Sequence, residues 1–209
     1  MTRFSPDFQQ ELSELMRWRR DVRRFRTDPV EEAVLEACLE SFALSPSVGL
    51  SEPWRVIRVE SDTARAAALA NYKAANVDAL AGYDGEKAAL YSQLKLSGMQ
   101  EAPVQLSVFC AEETAKGSGL GAQTMPEMRR YSVVSAITQF WLAARARGIG
   151  VGWVSILDPD RLCADLNVPD DWRLVGYLCV GWPEQDHETP ELERAGWDSR
   201  AEGVIVESR

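Results

Sequence analysis

The sequence predicts an α/β or α+β domain in which a mixed sheet of four or five strands is covered by helices. Three observations lead there. Apolar runs of strand length stand at 54–60, 104–110, 148–157 and 172–183. Helical stretches separate these runs, the pattern of a layered helix-and-sheet domain. Residues 126–147 place Val133, Val134, Ile137, Phe140, Trp141 and Ala144 at helical spacing on a wide face, which marks a central and largely buried helix.

Residues 7–18 and 30–43 have helical character, the second with Pro29 near its start and Asp28 as its N-cap. LSPSVGLSEPW, 44–54, is dense in Ser, Gly and Pro and reads as a loop. It leads into WRVIRVE, 54–60, an alternating strand. Residues 62–81 are Ala-rich and helical. Gly82, Asp84 and Gly85 break that helix, and a second helical stretch runs to about Ser97. VQLSVFC, 104–110, follows Pro103 as a buried strand, and AKGSGLGAQ, 115–123, is a flexible loop and a candidate lid, as are the helices of 62–97. After the central helix, GIGVGWVSIL, 148–157, is a buried strand opened by glycines that suit a helix C-cap. Asp158-Pro159 starts another helix, N-cap then Pro at the first helical position, ending near Val168-Pro169. WRLVGYLCVGWP, 172–183, is the last core strand. The polar tail 184–209, with short apolar pieces at Trp197 and VIV (204–206), either frays or packs on a partner subunit.

Composition narrows the chemistry. The 209 residues fit a single domain, 1–209. The formal net charge is −9, yet the positive charge is lopsided, with 19 Arg against 4 Lys. One histidine, His187, lies in the polar stretch EQDHETPE and reads as a solvated tail residue. A Ser-His-Asp hydrolase, a His-rich metal site or a His-based acid–base enzyme would rest on that one residue. An acidic chain is a poor nucleic-acid binder. Cys38, Cys110, Cys163 and Cys179 show no zinc spacing and no C-x-x-C pair, and Cys110 and Cys179 read as core residues. No metal site is expected. The N-terminus lacks the apolar stretch of a signal peptide, and no apolar run approaches the ~20 residues of a membrane span, so a soluble cytoplasmic protein is expected.

The strongest local signal is RWRRDVRRFR, Arg17 to Arg26, with six Arg and one acid, Asp21. One reading is a solvated face pairing with acids elsewhere. The other is a clamp for a small anion, because Arg offers planar bidentate donors to phosphate. If the segment is helical, Arg19 and Arg23 share a face, with Arg20 and Arg24 on an adjacent one. SPSVGLSEPW supplies hydroxyls and backbone N–H groups at the mouth of a strand. GIGVGWVSIL holds no G-x-G-x-x-G fingerprint, and Ser155 within it needs a hydrogen-bond partner, either backbone or ligand.

Taken together, an N-terminal R-R-[SD]-x-R, an S-x-x-x-x-x-P-W loop running into a strand and a late G-x-G-W-x-S strand resemble the nitroreductase superfamily of flavoproteins. RRDVRRFRTDPV, SPSVGLSEPWR, YSQLKLSGMQEAPVQLSVFC, GLGAQTMPEMRRYSVVSAI, WLAARARGIGVGWVSILDPDRL and PELERAGW narrow the resemblance to its 5,6-dimethylbenzimidazole synthase family, over about residues 17–198. Asp21, where typical nitroreductases carry Ser, is that family's mark. The resemblance implies an α+β fold, a central mixed sheet flanked by helices, as an intertwined homodimer whose two FMN sites are lined by both chains, with the tail 184–209 on the partner subunit. It also implies that reduced FMN is the substrate. In an O2-dependent reaction the flavin is fragmented to 5,6-dimethylbenzimidazole, the lower ligand of cobalamin, and erythrose 4-phosphate.

Carried over by position, Arg19, Arg20, Asp21, Val22 and Arg23 match the N-terminal flavin-binding segment, Ser47 the loop serine, Leu96 or its neighbour Lys95 a mid-chain contact, and Ser155 the late serine near the ring. Asp21 and Ser155 are the implied catalytic pair, Asp21 as a base or as the group that steers one. Glu52 stands where the family usually has Gln, and is expected to face away from the ligand. Leu50 stands where general nitroreductases often have Asn. No nicotinamide-binding element is visible, NAD(P)H is a candidate indirect reductant, and a separate flavin reductase is a candidate partner. Two other readings remain: an NAD(P)H-dependent nitroreductase or flavin reductase, and a non-catalytic anion- or flavin-binding protein.

Overall fold

A computed structural model describes residues 3–94 and 96–209. Helix α1 (Pro6–Trp18) begins where Ser5 Oγ accepts the Phe8 N–H and Pro6 occupies the first turn. After Trp18 the chain straightens into an extended strap. Helix α2 (Glu32–Leu39) starts later than Asp28-Pro29 suggests and carries no side-chain cap. The Asp28 carboxylate is taken by Arg26 Nε at 2.8 Å, so it is not available to cap. A 3₁₀ turn (Glu40–Leu44) continues α2, and a second one (Val48–Leu50) lies in the Ser/Gly/Pro loop.

Strand β1 (Trp54–Arg58) is followed by α3 (Asp62–Ala81), capped by Ser61 Oγ on the Ala64 N–H. Then come α4 (Gly85–Gln93), α5 (Gly98–Glu101) and β2 (Val104–Ala111). Helix α6 (Met128–Arg145) precedes β3 (Gly150–Val154). Helix α7 (Pro159–Asp165) is capped as expected by Asp158, whose Oδ1 accepts the Arg161 N–H, but it ends at Asp165, before Val168. Strand β4 (Trp172–Gly181) and the one-turn α8 (Glu191–Arg194) complete the chain.

The four strands run in the order β1-β2-β4-β3, every neighbouring pair antiparallel. The parallel component is a single bridge, Asp21 to Val151, where the strap lies along the outer edge of β3. Each sheet face carries its own core, as the alternation of strand side chains requires. Leu106, Val108, Cys110, Leu178 and Val180 meet Val133, Ile137 and Phe140 of α6 on one face. Tyr177 and Cys179 meet Phe25, Met99 and Leu162 on the other. Burial pushes the Cys110 thiol up to about 11 and Cys179 to about 12, so neither serves as a nucleophile. No described helix is long and apolar enough to cross a membrane.

The strap is the element that positions the site. Its Val22 N–H donates to Val151 O at 3.0 Å, its Arg26 N–H to Trp182 O at 2.8 Å, and Phe25 is buried in the second core. The approach is close enough to demand glycine on β3. A Cβ on Gly152 would lie 2.1 Å from Val22 O, and one on Gly150 would lie 2.7 Å from Val22 Cγ2. Gly152→Ala is therefore expected to cost about 1–3 kcal/mol by overpacking, and to speed amide exchange at Val22. Gly203→Ala, with nothing within 4 Å of the new Cβ, should leave the denaturation midpoint unchanged.

Candidate functional site: a cavity floored by the arginine strap

Because the strap is extended and not helical, it distributes its side chains in alternation, and Arg19 and Arg23 do not stack along a helix face. The strap floors a cavity of about 330 Å³, within the range of small-molecule sites. Arg20, Asp21, Val22, Arg23 and Arg24 line it from the strap. Leu90, Gln93 and Leu94 form one wall at the end of α4, and residues between Glu184 and Ala195 form the other.

Asp21 is the anchored anion of this floor. Its Oδ1 accepts the Trp153 N–H at 2.8 Å, and Arg23 Nε stands 3.7 Å from Oδ2. About 42% of its side chain is accessible, into the concavity and not onto a convex surface. The surrounding protein raises its pKa by desolvation, against the opposing pull of the Trp153 N–H, Arg23 and Arg19. The carboxylate also lies near enough to the Cys179 thiol to add to that group's upward shift.

The arginines divide into two sets. Arg17 pairs with Glu14 and Glu188, Arg23 with Asp21, Arg24 with Glu191, and Arg26 with Asp28. For these four the charge is answered by acids. Arg19 and Arg20 make no ion pair among the described residues. Arg19 lies 4.8 Å over the Trp141 ring, and Arg20 donates to the backbone carbonyls of Arg19 and Glu188. Both have lowered pKa values, from burial first. The like charge of Arg200 acts on both, and that of Arg19 on Arg20. Arg20 lines the cavity, whereas Arg19 and Arg200 are not among its lining residues.

The other expected residues divide by place. Ser155 follows the last residue of β3 and so lies outside the strand, exposed, two residues beyond the Trp153 N–H that holds Asp21. It makes no hydrogen bond among the described residues. Leu96 is partly buried against the core that holds Phe25 and Val22, beside the Ser97 and Gly98 N–H groups that donate to Arg23 O at 3.0 and 3.2 Å. Lys95 lies outside the described residues. Ser47 is not brought to this cavity within one chain, and its Oγ accepts the Glu52 N–H at 3.1 Å. Glu52 is ion-paired with Lys116 and does not line the cavity. The loop at 115–123 is no free flap, because Gly49 and Gly117 pack backbone to backbone, and a Cβ on Gly117 would lie 2.3 Å from Gly49 O.

Sequence reasoning missed the tail wall. His187 is half-buried and lines the cavity with Asp21, contrary to its reading as a solvated residue. Arg194 lines it too, and Arg200 acts on the floor. The usable signal was charge complementarity, since Glu188 and Glu191 stand opposite an arginine cluster that needs acids.

Residues 16–182 match the nitroreductase family. A 5,6-dimethylbenzimidazole synthase of Rhodospirillum rubrum is 51% identical over 203 residues, 97% of this chain and 96% of that one. A protein of the same name from Rhodobacter capsulatus is 50% identical over 89% of this chain and 90% of its own. Among solved structures, oxidised iodotyrosine deiodinase bound to FMN and 3-iodo-L-tyrosine superposes with a TM-score of 0.76 at 22% identity, covering 95% of this chain and 99% of that one.

The raised pKa of Asp21 fixes the sign of a pH effect. The folded state holds the proton more tightly than the unfolded chain, so ionised Asp21 opposes folding. That cost is absent below the unfolded value, grows as pH rises through the interval between the two pKa values, and is full above it. Asp21→Asn keeps an oxygen for the Trp153 N–H and removes the cost. Its melting temperature relative to wild type should be higher at pH 7.5 than at pH 4. A difference that stays constant or reverses across that range contradicts the assignment.

Proposed function

This chain belongs to the nitroreductase family, and we propose that within it the chain is a 5,6-dimethylbenzimidazole synthase. The observation that carries this reading is the similarity to synthases of that name at about half identity over nearly the whole chain. The reaction is the O2-dependent fragmentation of reduced FMN to 5,6-dimethylbenzimidazole and erythrose 4-phosphate. The fold neighbour crystallised with FMN supports a flavin as the ligand, and the donor set fits one. The guanidinium of Arg20, which lines the cavity without an ion-pair partner among the described residues, suits a phosphate dianion. The strap around Asp21 offers a charged and hydrogen-bonding floor.

When bound, the reduced flavin supplies the reactivity toward oxygen. The chain supplies placement and a proton acceptor. Asp21 is held by the Trp153 N–H with its second oxygen toward Arg23. Its raised pKa makes the carboxylate a stronger base than an exposed aspartate. It accepts a proton from a sugar hydroxyl as the ribityl chain is cleaved. Ser155, free of protein partners among the described residues, hydrogen-bonds the flavin and holds its orientation. Arg23 keeps Asp21 pointed at the site.

The protein works as a homodimer. Phe4 before α1, Phe8 and Met16 of α1, Leu44 and Leu50 of the loop, and Leu120 expose apolar surface on a single chain, which a second copy would cover. Ser47 lies away from its own chain's cavity and would serve the partner's. The exposed Val204, Ile205 and Val206 of the tail suit packing on that partner. A separate NAD(P)H-dependent flavin reductase would supply the reduced FMN. The four free cysteines suit a reducing cytoplasm.

Purified protein given photoreduced FMN in air should yield 5,6-dimethylbenzimidazole, identified by chromatography and mass. NAD(P)H-driven reduction of nitroaromatics without that product would assign a reductase instead. FMN binding with neither activity would assign a binding protein. Asp21→Asn should lower product formation about 10²–10⁴-fold, the usual reach of general acid–base catalysis, with FMN affinity retained. Product at near wild-type rate would remove Asp21 from the role of base.

A further inference from the structure

The two walls above the strap are held far more loosely than the floor. Helix α4 buries none of its residues, and its N-cap Asp84 makes no side-chain capping bond. Nine residues are too few for a helix to persist by itself. The helical part of the tail wall is a single turn, α8, which also buries nothing. Such segments belong to the low-stability end of a fold, and what joins them decides how often they open.

An aromatic cluster outside the cavity joins them. Tyr83 and Tyr91, flanking and within α4, stack with centroids 5.1 Å apart. Trp197 of the tail meets Tyr83 edge-on at 5.3 Å and Tyr91 at 6.3 Å. Lys87 Nζ lies 4.5 Å over the Trp197 ring and also donates to the Trp197 carbonyl. The cluster is tied at both ends. Tyr91 Oη donates to Asn76 Oδ1 of α3 at 2.8 Å, and the Trp197 N–H donates to Leu192 O of α8 at 2.9 Å. None of the four residues lines the cavity. They act on it by holding its walls.

We propose that Lys87, Tyr83, Tyr91 and Trp197 form a latch between α4 and the tail, and that this latch sets the residence time of the ligand in the cavity. They are positioning residues. Lys87 is the closing member, because a cation over an indole face is attracted by the ring's quadrupole without blocking a later separation. The ligand side of this inference rests on the reading of the cavity as a flavin site, whereas the coupling of the walls does not.

The test uses the full chain with oxidised FMN, comparing wild type, Trp197→Leu, Lys87→Ala and Lys87→Arg. Amide exchange in 85–93 and 190–197 and the rate of FMN release after a chase are measured together. Trp197→Leu and Lys87→Ala should speed exchange in both segments, leave β2 and β4 protected, and release FMN about tenfold faster. Lys87→Arg should restore both readouts, since a guanidinium also stacks on an indole. The latch is overturned if only one segment loosens, if both loosen while FMN release is unchanged, or if Lys87→Arg behaves as Lys87→Ala. Should Trp197→Leu lose protection in β2 and β4 as well, the exposed Lys87 decides the matter alone. If wild type binds no FMN, the flavin reading fails, and exchange still decides whether the walls are coupled.

Discussion

The strap lies so close over β3 at Val22 that the strand can carry no Cβ at positions 150 and 152, and Gly150 and Gly152 meet this condition. The Val22 backbone comes so close that any Cβ at Gly152 would collide with its carbonyl. Much of the rest follows from that contact. The Val22–Val151 hydrogen bond fixes the register of the strap. The register puts Asp21 Oδ1 opposite the Trp153 N–H, which the antiparallel ladder with β4 leaves free at the sheet edge. It also sends Phe25 into the core and leaves the Arg23 carbonyl to receive Ser97 and Gly98 N–H. A carboxylate, a set of arginines and the entry to α5 are thereby held by one backbone contact.

The electrostatics of the site depend on an uneven division of acids. An Arg cluster of this density repels itself unless acids answer it or an anion completes it. The tail brings Glu188 and Glu191 to Arg17 and Arg24, and Asp28 answers Arg26 locally. The same tail brings Arg200 toward Arg19 and Arg20, raising positive charge where no acid is paired. Asp21 sits between these regimes. Burial favours its proton while Arg23, Arg19 and the Trp153 N–H favour its charge, and burial prevails. A carboxylate balanced in this way is a better proton acceptor than one locked in a close ion pair.

What was legible in the sequence was what local rules decide. Asp158 caps its helix where its side chain predicts, α3 spans the Ala-rich run 62–81, and the four apolar runs hold the four strands. Asp28 failed as a cap because Arg26, two residues away, competes for its carboxylate. The strap failed as a helix because the decision is made across the chain, by glycines some 130 residues later. Of the site, the floor was legible as an arginine cluster with one acid. The tail wall was not, because His187 and Arg194 carry no local pattern and become cavity residues only when the acids of the tail find the arginines of the strap.

This division of labour has a consequence for a protein that consumes its flavin. A resident cofactor is served by walls as firm as the floor. A flavin that enters intact and leaves in pieces needs walls that open in every turnover, around a floor that does not. The floor here is built from ladder hydrogen bonds, a buried phenylalanine and glycine-enforced contact, all at the stable end of the fold. The walls include two short helices without buried residues, α4 and α8, and the latch proposed between them rests on a small aromatic and cation–ring cluster. The contacts that hold Asp21 and those of the proposed latch are thus separate. Asp21 owes its place to β3, and α4 can move away from the cavity without disturbing the Trp153 N–H that aims it.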